Sequence, residues 1–139
     1  MQKTLLLKND IHELSTMNQF LEEAGEEMGL GPALVMSLNL VMEEAVSNII
    51  FYAYEKDSVV EDAVDITMTL EDNILSIVLK DHGVAFDPTA KEDPDITLSA
   101  EDRQIGGLGI FLIKKIMDDV SYERTEGQNI FIMKKNITE

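Results

Sequence analysis

The chain has 139 residues, 45% of them hydrophobic, no cysteine, and a formal net charge of −16 at pH 7. That length suits one domain with a sizeable core, and the lack of thiols rules out a disulfide scaffold and a thiolate zinc site. The acidic balance argues against direct contact with nucleic acid or an anionic membrane, whose phosphates would repel it; it serves solubility or steers a basic protein partner.

The opening MQKTLLLKND has a short apolar run but neither the length nor the cleavage pattern of a signal peptide. No apolar run approaches the roughly 20 residues of a membrane span, so a cytoplasmic protein is the simplest expectation. Lys3–Lys8 reads as a first strand. Asp10 stands at an N-cap position with Glu13 three residues on, close to a capping box. Ile11, Leu14, Met17 and Leu21 follow at helical spacing. Gly29 and Gly31 stop that helix, and Pro32 opens the next, which extends to about Tyr54. Val64, Ile66, Met68 and Leu70 alternate, which predicts a strand over Asp62–Glu71. Glu71-Asp72-Asn73 makes a turn, and Ile74–Lys80 is the returning strand. Residues 88–105 are acidic and weakly periodic, and a segment of that length without a pattern belongs to a functional or disordered loop. Gly106 and Gly107 precede a helix, Leu108–Met117. Two strands close the chain, Val120–Glu126 and Asn129–Lys135. The order β-α-α-β-β-loop-α-β-β predicts an α+β fold: a two-layer sandwich with a mixed, mostly antiparallel sheet and helices on one face. No repeat or linker divides residues 1–139, so one domain is expected.

Three stretches stand out. In the second helix Val35, Met42, Ala45, Val46, Ile49 and Ala53 gather on one face, with Glu44 and Asn48 nearly opposite. Leu40 and Phe51 flank these two, and no Lys or Arg occurs from Pro32 to Glu55. The pattern predicts a second side that is at least partly covered. There a carboxylate carries a desolvation cost unless a cation arrives; the plain alternative is an acidic edge in solvent. In KDHGVAFDP, residues 80–88, Asp81 ends a strand and Gly83 follows. This is a turn, or a carboxylate placed to accept from an exocyclic amine beside a glycine that lets a flat ring approach the backbone. With only His12 and His82, a histidine-rich metal site is not expected. In IGGLGIFLIKKI, residues 105–116, glycines before a helix leave N–H groups free for an anion, or form a hinge. Neither a dinucleotide fingerprint nor a P-loop frames them.

In this order and spacing, EAVSN, DHGVAFDP and GGLG resemble the GHKL ATPase superfamily, which includes gyrase, heat-shock chaperone ATPases, histidine kinases and MutL-type repair proteins. FDP in the second stretch and GGLGIFLIKKIMDDV in the third narrow the resemblance to stand-alone anti-sigma factor serine kinases, over nearly the whole chain. The resemblance implies the histidine kinase-like (Bergerat) ATPase fold, with residues 88–105 as the nucleotide lid. It implies ATP and Mg²⁺ as cofactors. Asn48 matches the magnesium ligand, a carboxamide oxygen suited to a hard cation, and Glu44, one turn earlier, matches the catalytic base. Asp81 matches the adenine-reading acid with Gly83 beneath the ring. Gly107, Leu108 and Gly109 match the phosphate-facing segment, and Asn129 matches a polar residue beside the base.

One departure is visible. Some relatives carry an arginine where this chain has Ile105, and Arg103 is expected to reach the γ-phosphate in its place. The implied activity is phosphorylation of a serine or threonine on a STAS-type anti-sigma factor antagonist. In the ATP-bound state the protein would hold a sigma factor, or a comparable basic regulatory protein, inactive. A homodimer is implied, with the first strand and helix, including Leu5, Leu7 and Leu14, as interface elements. Two other readings remain: a nucleotide-binding partner switch without kinase chemistry, and an interaction module with a vestigial pocket.

Overall fold

The computed structural model describes residues 1–55, 58–85, 87–88 and 107–137. The expected lid, 88–105, lies outside these residues apart from Pro88, and Arg103 and Ile105 lie outside with it. The described elements are β1 (Gln2–Leu7), a short 3-10 turn (Ile11–Glu13), α1 (Leu14–Met28), α2 (Pro32–Tyr52), β2 (Val64–Glu71), β3 (Ile74–Asp81), α3 (Gly107–Ile116), β4 (Asp119–Thr125) and β5 (Gln128–Asn136).

The five strands form one sheet in the order β1-β2-β3-β5-β4. Every neighbouring pair is antiparallel, so the sheet is not mixed. Two hairpins set most of the register. Asp72 and Asn73 both take positive φ, 53° and 63°, and so do Glu126 and Gly127, 51° and 78°. A two-residue loop with both central φ values positive is the turn whose twist matches the flanking strands. It pairs Glu71 with Ile74 in the first hairpin and Thr125 with Gln128 in the second.

The helix boundaries follow local chemistry. Asp10 accepts the His12 N–H at 2.9 Å, but Glu13 Oε2 reaches back to the Lys8 N–H, so the capping box expected from the sequence is only half formed. Gly29 ends α1 at φ 74°, and the Leu30 N–H bonds to the Gly25 carbonyl at 2.8 Å. That left-handed residue satisfies carbonyls the helix end would leave open. Gly31 caps α2 in extended conformation with Pro32 in the first turn.

Strand alternation puts Val64, Ile66 and Met68, Leu75, Ile77 and Leu79, and Phe131 and Met133 into a common core with the buried residues of α1 and α2. Each large apolar side chain contributes about 1.5–3 kcal/mol over its exposed state. Of the leucines expected at an interface, Leu7 is fully buried in the protein's own core, whereas Leu5 and Leu14 are partly buried against it. Leu6, on the opposite face of β1, is exposed.

α2 is a 21-residue helix whose length and apolar composition alone would let it cross a membrane, contrary to the expectation that no segment comes close. Here Leu38, Val41, Met42, Ala45, Val46, Ile49 and Ile50 of that helix are buried in the core. The expectation of cover on its second side holds only locally. Glu44 and Asn48 are half-buried, whereas Leu40 and Phe51 are 52% and 58% exposed. α3 has ten residues and packs against α2, yet both flanking positions remain exposed.

Candidate functional site

The period of β3 runs on past its apolar residues. Leu75, Ile77 and Leu79 face the helices, and Asp81, two residues further, faces them too. On β5 the row Met133, Phe131, Asn129 does the same. Asp81 and Asn129 are cross-strand partners in the β3–β5 ladder. They are the two buried polar side chains among the described residues, each 4% exposed. Asn129 Nδ2 donates to Asp81 Oδ1 at 2.9 Å and to the Val84 carbonyl at 2.7 Å. The Gly83 N–H donates to the same Asp81 oxygen at 2.9 Å. Burial pushes the Asp81 carboxyl above its usual range; the hydrogen bonds from Asn129 and Gly83 and the charges of Arg124 and His82 offset this in part.

Above this pair lies a pocket, partly open to solvent, with a cavity volume of about 30 Å³. Its apolar walls include Ala45, Ile49, Ile113 and Phe131, and its polar groups are Asp81, Asn129, Asn48 and Tyr122. Mostly apolar walls with a few convergent polar atoms suit a flat heteroaromatic ring read along one edge. Asn48 contributes its carboxamide from α2 and makes no hydrogen bond within the described residues. Among those residues no three His, Cys, Asp or Glu side chains gather as metal ligands. The donor set thus offers a divalent cation one carboxamide oxygen. That fits magnesium, which keeps most of its shell from water and phosphate oxygens.

Gly83 is confined by the end of α2. The Val84 N–H bonds to the Ala53 carbonyl at 2.9 Å, and a Cβ on Gly83 would stand 2.6 Å from the Ala53 carbonyl carbon. The Tyr54 hydroxyl accepts the His82 N–H at 3.0 Å and donates to the Ala63 carbonyl, so His82 acts here through its backbone. Arg124 Nη1 donates to the Gly83 carbonyl at 2.8 Å. The turn after β3 is therefore held from three sides. Gly83→Ala is expected to lower stability by about 1–3 kcal/mol, because the clash is with backbone that cannot rotate away. A calorimetric melting temperature equal to that of the parent would contradict this.

Glu44 is half-buried on α2 with Gly109 of α3 against it. A Cβ at position 109 would lie 2.8 Å from the Glu44 Cδ, so glycine is what allows the carboxyl to rest there. Gly107, Leu108 and Gly109 open α3, where a helix start leaves N–H groups without helical partners. The structure thus brings Glu44, Asn48, Asp81, Gly83, Gly109 and Asn129 to one side of the sheet's helical layer. Arg103 lies outside the described residues. Sequence reasoning missed Tyr122 and Arg124, which the β4–β5 ladder sets opposite Phe131 and Asn129.

A description of the histidine kinase-like ATPase domain matches residues 7–135 of the chain. The serine/threonine-protein kinase BtrW of Bordetella bronchiseptica is 32% identical over 96 residues, 69% of this chain and 66% of that protein. The serine-protein kinase RsbW of Bacillus cereus is 32% identical over 111 residues, 77% of this chain and 68% of that protein. The chain therefore spans about two thirds of the length of these relatives. A solved structure of RsbU and RsbW domains from Mycobacterium tuberculosis superposes with a TM-score of 0.72 at 14% identity, covering 100% of this chain and 33% of that one. A SiaB–SiaC complex from Pseudomonas aeruginosa gives 0.52 at 14% identity, covering 97% of this chain and 88% of the other. At these identities the superpositions establish the fold.

Proposed function

Because the chain belongs to the histidine kinase-like ATPase domain family, which it matches over residues 7–135, we propose that it is an ATP-dependent protein serine/threonine kinase of the anti-sigma factor type. It phosphorylates a STAS-type antagonist and, with ATP bound, sequesters a sigma factor or a comparable basic partner. The observation that carries this reading is the buried Asp81–Asn129 pair at the floor of a cavity that also takes in Asn48. The names of the kinases it is similar to support the reaction class.

In this reading Asp81 Oδ2 accepts from the exocyclic amine of adenine, and Ile49, Ile113 and Phe131 take the faces of the ring. Asn48 would hold magnesium, which when bound would supply charge neutralisation on the phosphates. The N–H groups at the start of α3 face the phosphates. Glu44 accepts the proton of the attacking serine or threonine hydroxyl. The hydroxyl oxygen bonds to the γ-phosphorus, the bond from that phosphorus to the β,γ-bridging oxygen breaks, and ADP leaves. Arg103 would serve the γ-phosphate. The net charge of −16 supports a basic partner.

The test is incubation with γ-labelled Mg-ATP and a STAS-type protein from the same source. Label on a serine or threonine of that protein is expected. Ile105, standing where some relatives carry arginine, favours one competing reading, a nucleotide-gated switch without transfer. Tight Mg-ATP binding with no label on the acceptor would establish that alternative.

A further inference from the structure

β4 is an edge strand of the sheet, yet its inward side chains reach the floor of the cavity. Tyr122 is half-buried there, and its hydroxyl donates to Oδ1 of Asn129. The nitrogen end of the same amide donates to Asp81 Oδ1 and to the Val84 carbonyl. The Gly83 N–H also converges on Asp81 Oδ1, so both donors on the carboxylate engage one oxygen. The other oxygen, Oδ2, is left without a protein donor among the described residues. Donors on a carboxylate favour its ionised form, which can only accept. An amide turned end for end would set its oxygen against the carboxylate, and that contact needs a proton on Asp81. The Tyr122 hydroxyl holds the oxygen end from the far side of the amide.

We propose that Tyr122 is a positioning and specificity-determining residue of the nucleotide site. By fixing the oxygen end of the Asn129 amide it keeps the nitrogen end on Asp81, and so keeps Asp81 Oδ2 an acceptor. That acceptor selects a base with an amino group, adenine, over one with a carbonyl at the same place, hypoxanthine. This inference rests on the reading of the cavity as the base pocket.

The charged and titratable groups around Asp81 are Arg124 on β4 and His82 in the turn, which favour its ionised form, and Tyr54 after α2, whose phenol burial pushes up. Loosening the Asn129 donor removes one of the groups that hold the carboxyl down. ATP binding should then fail at a higher pH on the acid side.

The experiment compares Mg-ATP and Mg-ITP affinities of the parent and Tyr122→Phe by calorimetry over a range of pH. Phenylalanine keeps the ring and removes only the hydroxyl. We expect ATP affinity to fall about tenfold, the size of one buried hydrogen bond, with a smaller change for ITP and the acid limb displaced upward. Tyr122→Phe placed on an Asn129→Ala background should have little further effect. Equal loss for ATP and ITP, an unmoved acid limb, or a full additional loss on that background each overturns the proposal. A parent that binds no Mg-ATP overturns the base-pocket reading itself. A parent that binds it, with Tyr122→Phe indistinguishable, overturns only the role of Tyr122.

Discussion

Asp81→Asn is expected to bind Mg-ATP about 100-fold more weakly than the parent and yet to melt at a higher temperature without nucleotide. Burial is the first cause of the raised Asp81 pKa, so the folded protein binds this proton more tightly than the unfolded chain does. Between the ordinary value of 3.8 and the raised one, the folded state carries more protons. Stability therefore falls as pH rises through that window and stays lowered above it. Asparagine has the same shape and no charge. Its Oδ1 still accepts from the Gly83 N–H and from Asn129 Nδ2, so the local geometry survives. The advantage of asparagine should be absent below the window, grow across it and level off above. Binding moves the other way. The free atom facing the cavity becomes an N–H₂ donor opposed to the amine of adenine. Loss of a charge-assisted hydrogen bond alone costs about 1.5–3 kcal/mol, roughly 10- to 150-fold, before that opposition is counted. Calorimetric melting as a function of pH and titration with Mg-ATP check both halves. A variant less stable than the parent at neutral pH would show that Asp81 is a structural ion rather than a strained binding group.

Much of this arrangement was legible in the sequence because it is local. The alternation of Val64, Ile66 and Met68 fixed the inward face of β2, and Asp72-Asn73 fixed its hairpin. Gly29, Gly31 and Pro32 marked the break between α1 and α2. The same local rules place Asp81 at a strand end and Glu44 one turn before Asn48. What they could not supply is the pairing of β3 with β5, which joins Asp81 to Asn129 across 48 positions. No periodicity encodes that partner, since either strand would read the same beside any other. Tyr122 and Arg124 were missed for the same reason: their parts in the site depend on the third strand in the row. Gly83 was legible as a glycine beside a ring, but its confinement by the Ala53 backbone depends on where α2 ends against the sheet. The covered side of α2 was overestimated because apolar residues such as Leu40 and Phe51 carry no mark of whether another element packs over them.

Glu44→Gln is expected to lower phosphotransfer by about 10²–10⁴-fold, the usual contribution of a positioned general base, while Mg-ATP affinity changes by only a few-fold. Glutamine matches glutamate in shape and should rest against Gly109 as the carboxyl does, but it cannot accept the proton of the attacking hydroxyl. Asn48→Ala supplies the contrast. It removes the one carboxamide that the site offers a cation, so nucleotide affinity itself should collapse in magnesium and differ little in its absence. The two residues sit one turn apart on α2, so a general disturbance of the helix would affect both measurements in both variants; the predicted split would not survive it. Gly109→Ala adds a third arm. A methyl group there needs the Glu44 carboxyl to move, because the added carbon would stand 2.8 Å from its Cδ. Transfer should fall while the base pocket, on the far side of Asn48, keeps its hold on adenine. Single-turnover transfer of labelled phosphate, beside equilibrium titration of Mg-ATP, separates these effects. If Glu44→Gln weakens ATP binding as much as it slows transfer, Glu44 is a binding group and the proton must go elsewhere. If it changes neither, the chain is a nucleotide-gated switch and the carboxyl against Gly109 serves the packing of α2 on α3.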